Sequence, residues 1–201
     1  MKKQVLLLLL IGFGIQLQAQ VTLRPGIRGG ANFSQITQSD SKIKTDFYLG
    51  VYGALKLSRV YTMQPEITYS RQGGNDVRIR FYDYTNNELK FHKEDISASY
   101  LSLAMMNKFF LTSKFNIHVG PTLDLQLQEN RYINSLGVDL AFMTGIGYTF
   151  TKNITGELRV KKGIINAYDT DYSGDYNYTI GSYNTNFLFQ LGLAYTFDLN
   201  K

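Results

Sequence analysis

Large apolar residues recur at every second position along most of this chain. From Asn186 to Phe197 the odd positions are Phe187, Phe189, Leu191, Leu193, Tyr195 and Phe197. The even positions are small or polar, with Leu188 the exception. Period two means a β-strand with one apolar face. The same alternation predicts strands at about Leu23 to Phe33, Asp46 to Leu57, Tyr61 to Gly73, Ser99 to Phe110, Phe115 to Leu127, Val138 to Phe150 and Ile154 to Lys161. With the last, that makes eight.

The links alternate too. Ser58-Arg59-Val60, Thr112-Ser113-Lys114 and Thr151-Lys152-Asn153 are tight turns. Ser34 to Thr45, Gly74 to Ala98, Gln128 to Ser135 and Asn166 to Thr185 are long and polar. An even number of strands with short turns at one end and long loops at the other predicts an all-β fold. It is an eight-stranded antiparallel up-and-down transmembrane β-barrel with short periplasmic turns and long extracellular loops. Aromatics at the strand ends supply two interfacial girdles: Tyr61, Phe109, Phe115, Phe150 and Phe197 on one side, Phe33, Phe47, Tyr69 and Phe187 on the other.

A soluble barrel with its faces reversed has the same periodicity. The other face decides between them. It collects Arg24, Arg28, Lys56, Glu66, Lys108, Asp124, Asp139, Glu157, Arg159 and Lys161. Placed outside, this set would leave dozens of apolar side chains to fill a lumen wide enough for one small ligand. The membrane barrel is the better fit. The mean hydropathy of -0.18 is no objection, because such strands show only alternate residues to lipid.

The N-terminus agrees. Lys2 and Lys3 precede an apolar run from Val5 to Ile15, and Leu17-Gln18-Ala19 offers a small residue for cleavage. This order reads as a secretory signal over 1–19, leaving 20–201 as one barrel domain in the bacterial outer membrane. The run is shorter than the about 20 residues of a spanning helix. Loss of two lysines lowers the formal charge from +5 to +3, too mild to argue for nucleic acid. The absence of cysteine excludes disulfides, thiolate metal sites and a lipoprotein anchor.

The chain resembles the PorT-type outer-membrane β-barrel proteins, which share the architecture of the OmpA and OmpX barrels. The matching pieces are Gly26-Ile27-Arg28-Gly29-Gly30-Ala31-Asn32-Phe33-Ser34 and Gln64-Pro65-Glu66-Ile67-Thr68-Tyr69-Ser70-Arg71-Gln72-Gly73. Tyr100-Leu101-Ser102-Leu103 with Lys108, Gly120-Pro121, Gly145-Ile146-Gly147-Tyr148 and Leu191-Gly192-Leu193-Ala194-Tyr195-Thr196-Phe197 complete the set. Ser102 and Ala104 depart from it, where a carboxylate and a proline are expected. The resemblance implies a fold and a location rather than a reaction.

The ten inward charges are read as an ion-pair network, since unpaired buried charges cost several kcal/mol; the sharper alternative is a narrow or gated pore. Catalysis has little support. His118 and Asp124 share a face but stand about 20 Å apart along one strand. His92 with Glu94, Asp95 and Ser97 can be drawn as a Ser-His-Asp set, though nothing in the sequence orders it. Asp169, Asp171 and Asp175 echo a calcium loop, including Gly174 at the sixth place, yet the twelfth position is Ile180 rather than glutamate. Tyr168, Tyr172, Tyr176 and Tyr178 in the same loop are candidates for stacking on each other or on sugars.

The third link predicts a hairpin above the membrane with its tip at Asp83 to Glu88. Val77, Ile79 and Phe81 continue the outward parity, and Leu89 and Phe91 lie on the return. Arg78, Arg80, Lys90 and Lys93 make it basic, which suits lipopolysaccharide or an acidic envelope protein. The expectation is a monomeric, non-enzymatic, cofactor-free barrel that is structural or binds through its loops. A minor transport pore and an accessory subunit of a secretion system are the alternatives.

Overall fold

The computed structural model describes residues 22–37, 41–83, 85–127, 137–164 and 186–198. The expected signal segment, with the cleavage expected after Ala19, and the loop bearing Tyr168, Asp169, Asp171, Tyr172, Asp175, Tyr176 and Tyr178 lie outside these residues.

Eight strands form the ring: β1 (Thr22–Ile36), β2 (Lys44–Lys56), β3 (Tyr61–Asp83), β4 (Glu88–Phe110), β5 (Phe115–Gln126), β6 (Val138–Thr149), β7 (Ile154–Gly163) and β8 (Asn186–Thr196). Each pairs antiparallel with its sequence neighbour, and β8 closes on β1. The register fixes the geometry. One line of cross-strand partners runs Thr22, Lys56, Thr62, Lys108, His118, Gly145, Arg159 and Gln190, then meets β1 again at Asn32. That return is ten residues further along β1. With ordinary strand rise and spacing, this stagger tilts the strands by about 40° and gives a barrel radius of about 8 Å. A 12-residue strand such as β5 then climbs about 30 Å along the axis, enough for an apolar band of about 25 Å.

Period two decides the faces. Leu49, Leu191 and Leu193 are exposed on the outside at 62%, 53% and 58%. Arg28, Glu66, Asp124, Asp139, Glu157, Arg159 and Lys161 are buried inside. This is the membrane arrangement; the reversed, soluble arrangement is not the one adopted. Aromatic pairs mark the two ends. Tyr61 packs on Phe109, Tyr148 on Phe150 and Tyr195 on Phe197 near the short turns. Phe33 packs on Phe189 and Phe47 on Tyr69 near the other end.

All three prolines face outward at one level of the wall. Pro25 pairs with Gly53, Pro65 with Met105 and Pro121 with Phe142. A proline has no N–H to donate. The β2–β3 ladder accordingly skips from Tyr52↔Glu66 to Leu55↔Met63, and the β4–β5 ladder from Ala104↔Thr122 to Asn107↔Val119. Their short side chains leave a shallow apolar trough between taller rows such as Ile27, Val51 and Ile67.

The third link is a strand hairpin, with β3 and β4 each 23 residues long and turn residues at 85–87. One expectation fails there. Val77 does not continue the outward parity: it is fully buried with Ile36, Ile96, Ala98 and Tyr100. The cause is a β-bulge. Gly74 pairs with Ile96 but Val77 with Glu94, so two residues of β3 oppose one of β4. Asp76 takes the left-handed conformation at φ 53°, and the extra residue reverses the faces beyond it. Asp95 locks the bulge by accepting a hydrogen bond from the Asp76 N–H at 2.9 Å.

Candidate functional site

The ordered chemistry of this barrel lies along its axis, in three tiers. The innermost tier joins β1, β3, β4 and β7. Arg28, Glu66, Lys108, Glu157 and Arg159 occupy inward positions there, and each is at most 6% exposed. Glu66 accepts from Arg28 at 2.5 Å and from both Nη atoms of Arg159, at 2.8 and 2.9 Å. Glu157 is met by Arg159 at 2.8 Å, Lys108 at 2.8 Å and Arg28 at 3.4 Å. Three cations thus share two carboxylates. A lone charge here would cost several kcal/mol; shared pairing offsets that only with good geometry, which the arginine forks supply. Gln64 donates a further hydrogen bond to Glu66 at 2.7 Å, and the Arg28 guanidinium lies over the Tyr48 ring at 4.8 Å.

Glycines make room for this tier. A Cβ on Gly192 would stand 2.0 Å from the Tyr48 hydroxyl, and one on Gly26 would stand 2.2 Å from the Tyr52 ring. Tyr52 fills the space beside β8, its hydroxyl 2.7 Å from that of Thr196.

The second tier lies outward of the first and is mostly amide and hydroxyl. Lys161 bonds Asp124, which also accepts from Gln72 at 3.2 Å. Gln72 reaches Ser70, Asn32 reaches Ser70, and Gln190 reaches Asn32. Asp139 is buried directly across the strand pair from Asp124. The third tier is the apolar cluster of Ile36, Val77, Ile96, Ala98 and Tyr100 at the base of the hairpin.

Of the ten expected lumen charges, eight are buried. Arg24 and Lys56 are not part of the network. Both lie at the inner ends of β1 and β2, where the barrel opens to water. Lys56 is exposed, and Arg24 pairs instead with Asp198. Asp198 also holds Lys152 at 2.8 Å; the Lys152 hydrogen bond, and the Arg24 charge with it, keep the Asp198 carboxyl below its ordinary range. The partners Asn32, Gln64, Ser70, Gln72 and Gln190 were absent from that expected set. Their signal is plain parity: they occupy the inward, even positions of β1, β3 and β8, but amides and hydroxyls carry no charge to mark them.

The sequence candidates for catalysis are not assembled. His118 is buried with Nδ1 3.0 Å from Asn116 Oδ1. His92 faces Glu94 at 3.4 Å, while Asp95 is engaged by the bulge. Ser97 is five strand residues from His92, about 17 Å on and on the opposite face. Among the described residues no group of three His, Asp or Glu side chains has the arrangement of a metal site.

On the hairpin, Arg78 is exposed with its guanidinium 3.9 Å from the Phe91 ring, and Arg78 pairs across the ladder with Lys93. Arg80 pairs by backbone with Phe91, and Lys90 follows on the return strand. At the base, Lys42 meets Asp76 at 2.6 Å, and a backbone bridge joins Lys42 to Asn75.

A family model described as an outer membrane protein beta-barrel domain matches residues 18–169. Among solved structures, Neisserial surface protein A is similar at 10% identity and a TM-score of 0.51, over 87% of this chain and 97% of that one. The Yersinia pestis outer membrane protein Ail, in a phospholipid bilayer nanodisc, is similar at 12% identity and a TM-score of 0.49, over 88% and 100%. OprG from Pseudomonas aeruginosa follows at 13% identity and 0.44, over 88% and 97%. Likeness at such identities is one of fold. No curated protein sequence matches the chain.

Proposed function

The chain belongs to the outer membrane protein beta-barrel domain family, and from that premise we propose that it is a non-enzymatic surface barrel that binds through its extracellular loops. One observation carries the reading. The lumen is crossed by paired charges from Arg28 to Glu157, whereas the longest strands project as a hairpin with Arg78, Lys93 and Phe91 on its flank. At the level of this ion-pair tier an eight-stranded lumen has room for side chains and little else. The work therefore falls to the outer surface.

The basic and aromatic face of the hairpin suits an anionic partner: lipopolysaccharide, or an acidic segment of another envelope protein. Cleavage after Ala19 would deliver the barrel, as a monomer, to the outer membrane. Within the family, the likeness of the first and third strands to PorT-type barrels supports a narrower placement, and with it a role beside a secretion machine. Co-purification from gently solubilised membranes tests that role; isolation of the barrel alone would remove it.

Single-channel recording of the refolded protein tests the main reading. A closed barrel gives no steady current. Stable ohmic steps would favour the minor-pore alternative, to which the open inner mouth lends some support. Binding is tested separately with lipopolysaccharide vesicles: an Arg78→Gln/Lys93→Gln variant should bind several-fold more weakly than the parent, and equal binding would move the site off the hairpin.

A further inference from the structure

At the end of the short turns the barrel is hollow. A cavity of about 620 Å³ opens there, walled by the inner ends of the strands and by turn residues 59–60, 111–113 and Lys152. Its charges are of one sign. Arg24, Lys56, Arg59, Lys108 and Lys152 line it, and among the described residues no carboxylate does.

Three of these cations are already answered from outside the cavity. Asp198 at the rim takes Arg24 and Lys152, and Glu157 beneath the floor takes Lys108. Lys56 and Arg59 are exposed and have no acidic partner among the described residues. Two uncompensated cations therefore stand over a floor whose lysine is 6% exposed, inside a low-dielectric wall that concentrates their field. Thr62 adds an uncharged hydroxyl to the same wall.

We propose that this periplasmic mouth is a binding site for a multiply charged anion bearing phosphate or carboxylate groups, held by Lys56 and Arg59. Arginine matches such groups with two parallel N–H donors, and lysine adds a point charge. Two separate cations favour an anion of more than one charge. The ion-pair tier closes the inner end of the cup, so the ligand enters from the periplasm. Two sources share this chemistry: a soluble periplasmic anion and the headgroup of an anionic phospholipid in the inner leaflet. The site does not depend on what the outer hairpin binds.

The chain has no tryptophan, so Leu111→Trp, at an exposed position of the rim, makes a single fluorescent reporter. Pyrophosphate titrated into the refolded reporter protein in zwitterionic micelles should give a saturable change that weakens with added salt. Adding Lys56→Gln and Arg59→Gln should weaken binding at least about tenfold. Lys114→Gln, on a turn but outside the cavity, should leave it unchanged. Nanodiscs of phosphatidylcholine and of phosphatidylglycerol then separate the sources. Weaker pyrophosphate binding in phosphatidylglycerol assigns the site to a headgroup, and equal binding assigns it to a soluble anion. No saturable response, or undiminished affinity in the double variant, overturns the proposal.

Discussion

Arg159 and Glu66 meet across the lumen as a doubly hydrogen-bonded pair, Nη1 to Oε2 at 2.8 Å and Nη2 to Oε1 at 2.9 Å. They come from β7 and β3, strands that are not neighbours in the ring. The pair is thus a strut across the barrel, and Arg28 and Glu157 brace it from β1 and from β7 itself.

Removing one end of the strut should be worse than removing both. Glu66→Met leaves Arg159 and Arg28 short of a carboxylate in a buried site, a loss of about 3–5 kcal/mol. Glu66→Met with Arg159→Met keeps the volume and removes both charges, and should recover part of that. Urea unfolding of protein refolded into vesicles measures the difference. Equal loss in the single and double variants would show that the charges do not act as a pair.

Arg159→Lys should also destabilise, by about 2 kcal/mol, although the charge is kept. A lysine ammonium lacks the planar fork that serves Glu66 and Glu157 together. Band mobility of unboiled sample against temperature gives a convenient readout, with melting expected below that of the parent.

Gly192→Val should fail to close the barrel efficiently. Its Cβ would fall 2.0 Å from the Tyr48 hydroxyl and 2.4 Å from the Gly29 carbonyl oxygen. The backbone contact lies in the β1–β8 seam and cannot swing aside. Yield of the fast-migrating folded band should drop sharply, and Tyr48→Phe should restore little of it because the Gly29 clash persists.

The Asp76–Lys42 contact should pin the hairpin base over a defined pH range. A hydrogen bond from Lys42, reinforced by its charge, holds the Asp76 carboxyl below its ordinary value. The same bond, then the Asp76 charge, raises Lys42 above its own. A lowered carboxylate contributes above its ordinary pKa and loses that contribution as pH falls through the folded value. A raised lysine contributes below its ordinary pKa and loses that as pH rises through the folded value. The pin is therefore whole around neutrality and is released in acid or strong alkali. Amide exchange at Asn75, whose N–H bonds to the Lys42 carbonyl, should quicken in acid beyond its intrinsic pH dependence. Lys42→Gln should abolish that extra step.

Deleting Asp76 should turn the flank of the hairpin over. Without the extra residue the alternation runs on unbroken, and Val77 would point outward. The absence of cysteine allows a clean test. Val77→Cys should resist a water-soluble maleimide in the parent and react in the deletion variant.

The alternation of residues by itself determined the eight strands, their faces and the short turns. Burial from a membrane or a lumen acts on each residue in turn, so period two records it locally. Eight inward charges were legible for the same reason. Their pairing was not. Glu66 meets Arg159 ninety-three positions away, a meeting set by the ten-residue stagger of the closed ring, and no stretch of sequence carries that stagger. Arg24 and Lys56 share the parity of the buried charges yet stand in water, because axial depth depends on where each strand begins. Val77 shows the sharper limit: one left-handed aspartate reversed a face, and what made that conformation stable was Asp95 across the ladder and Lys42 beyond it. Local pattern decided which way side chains face; tertiary closure decided which of them meet.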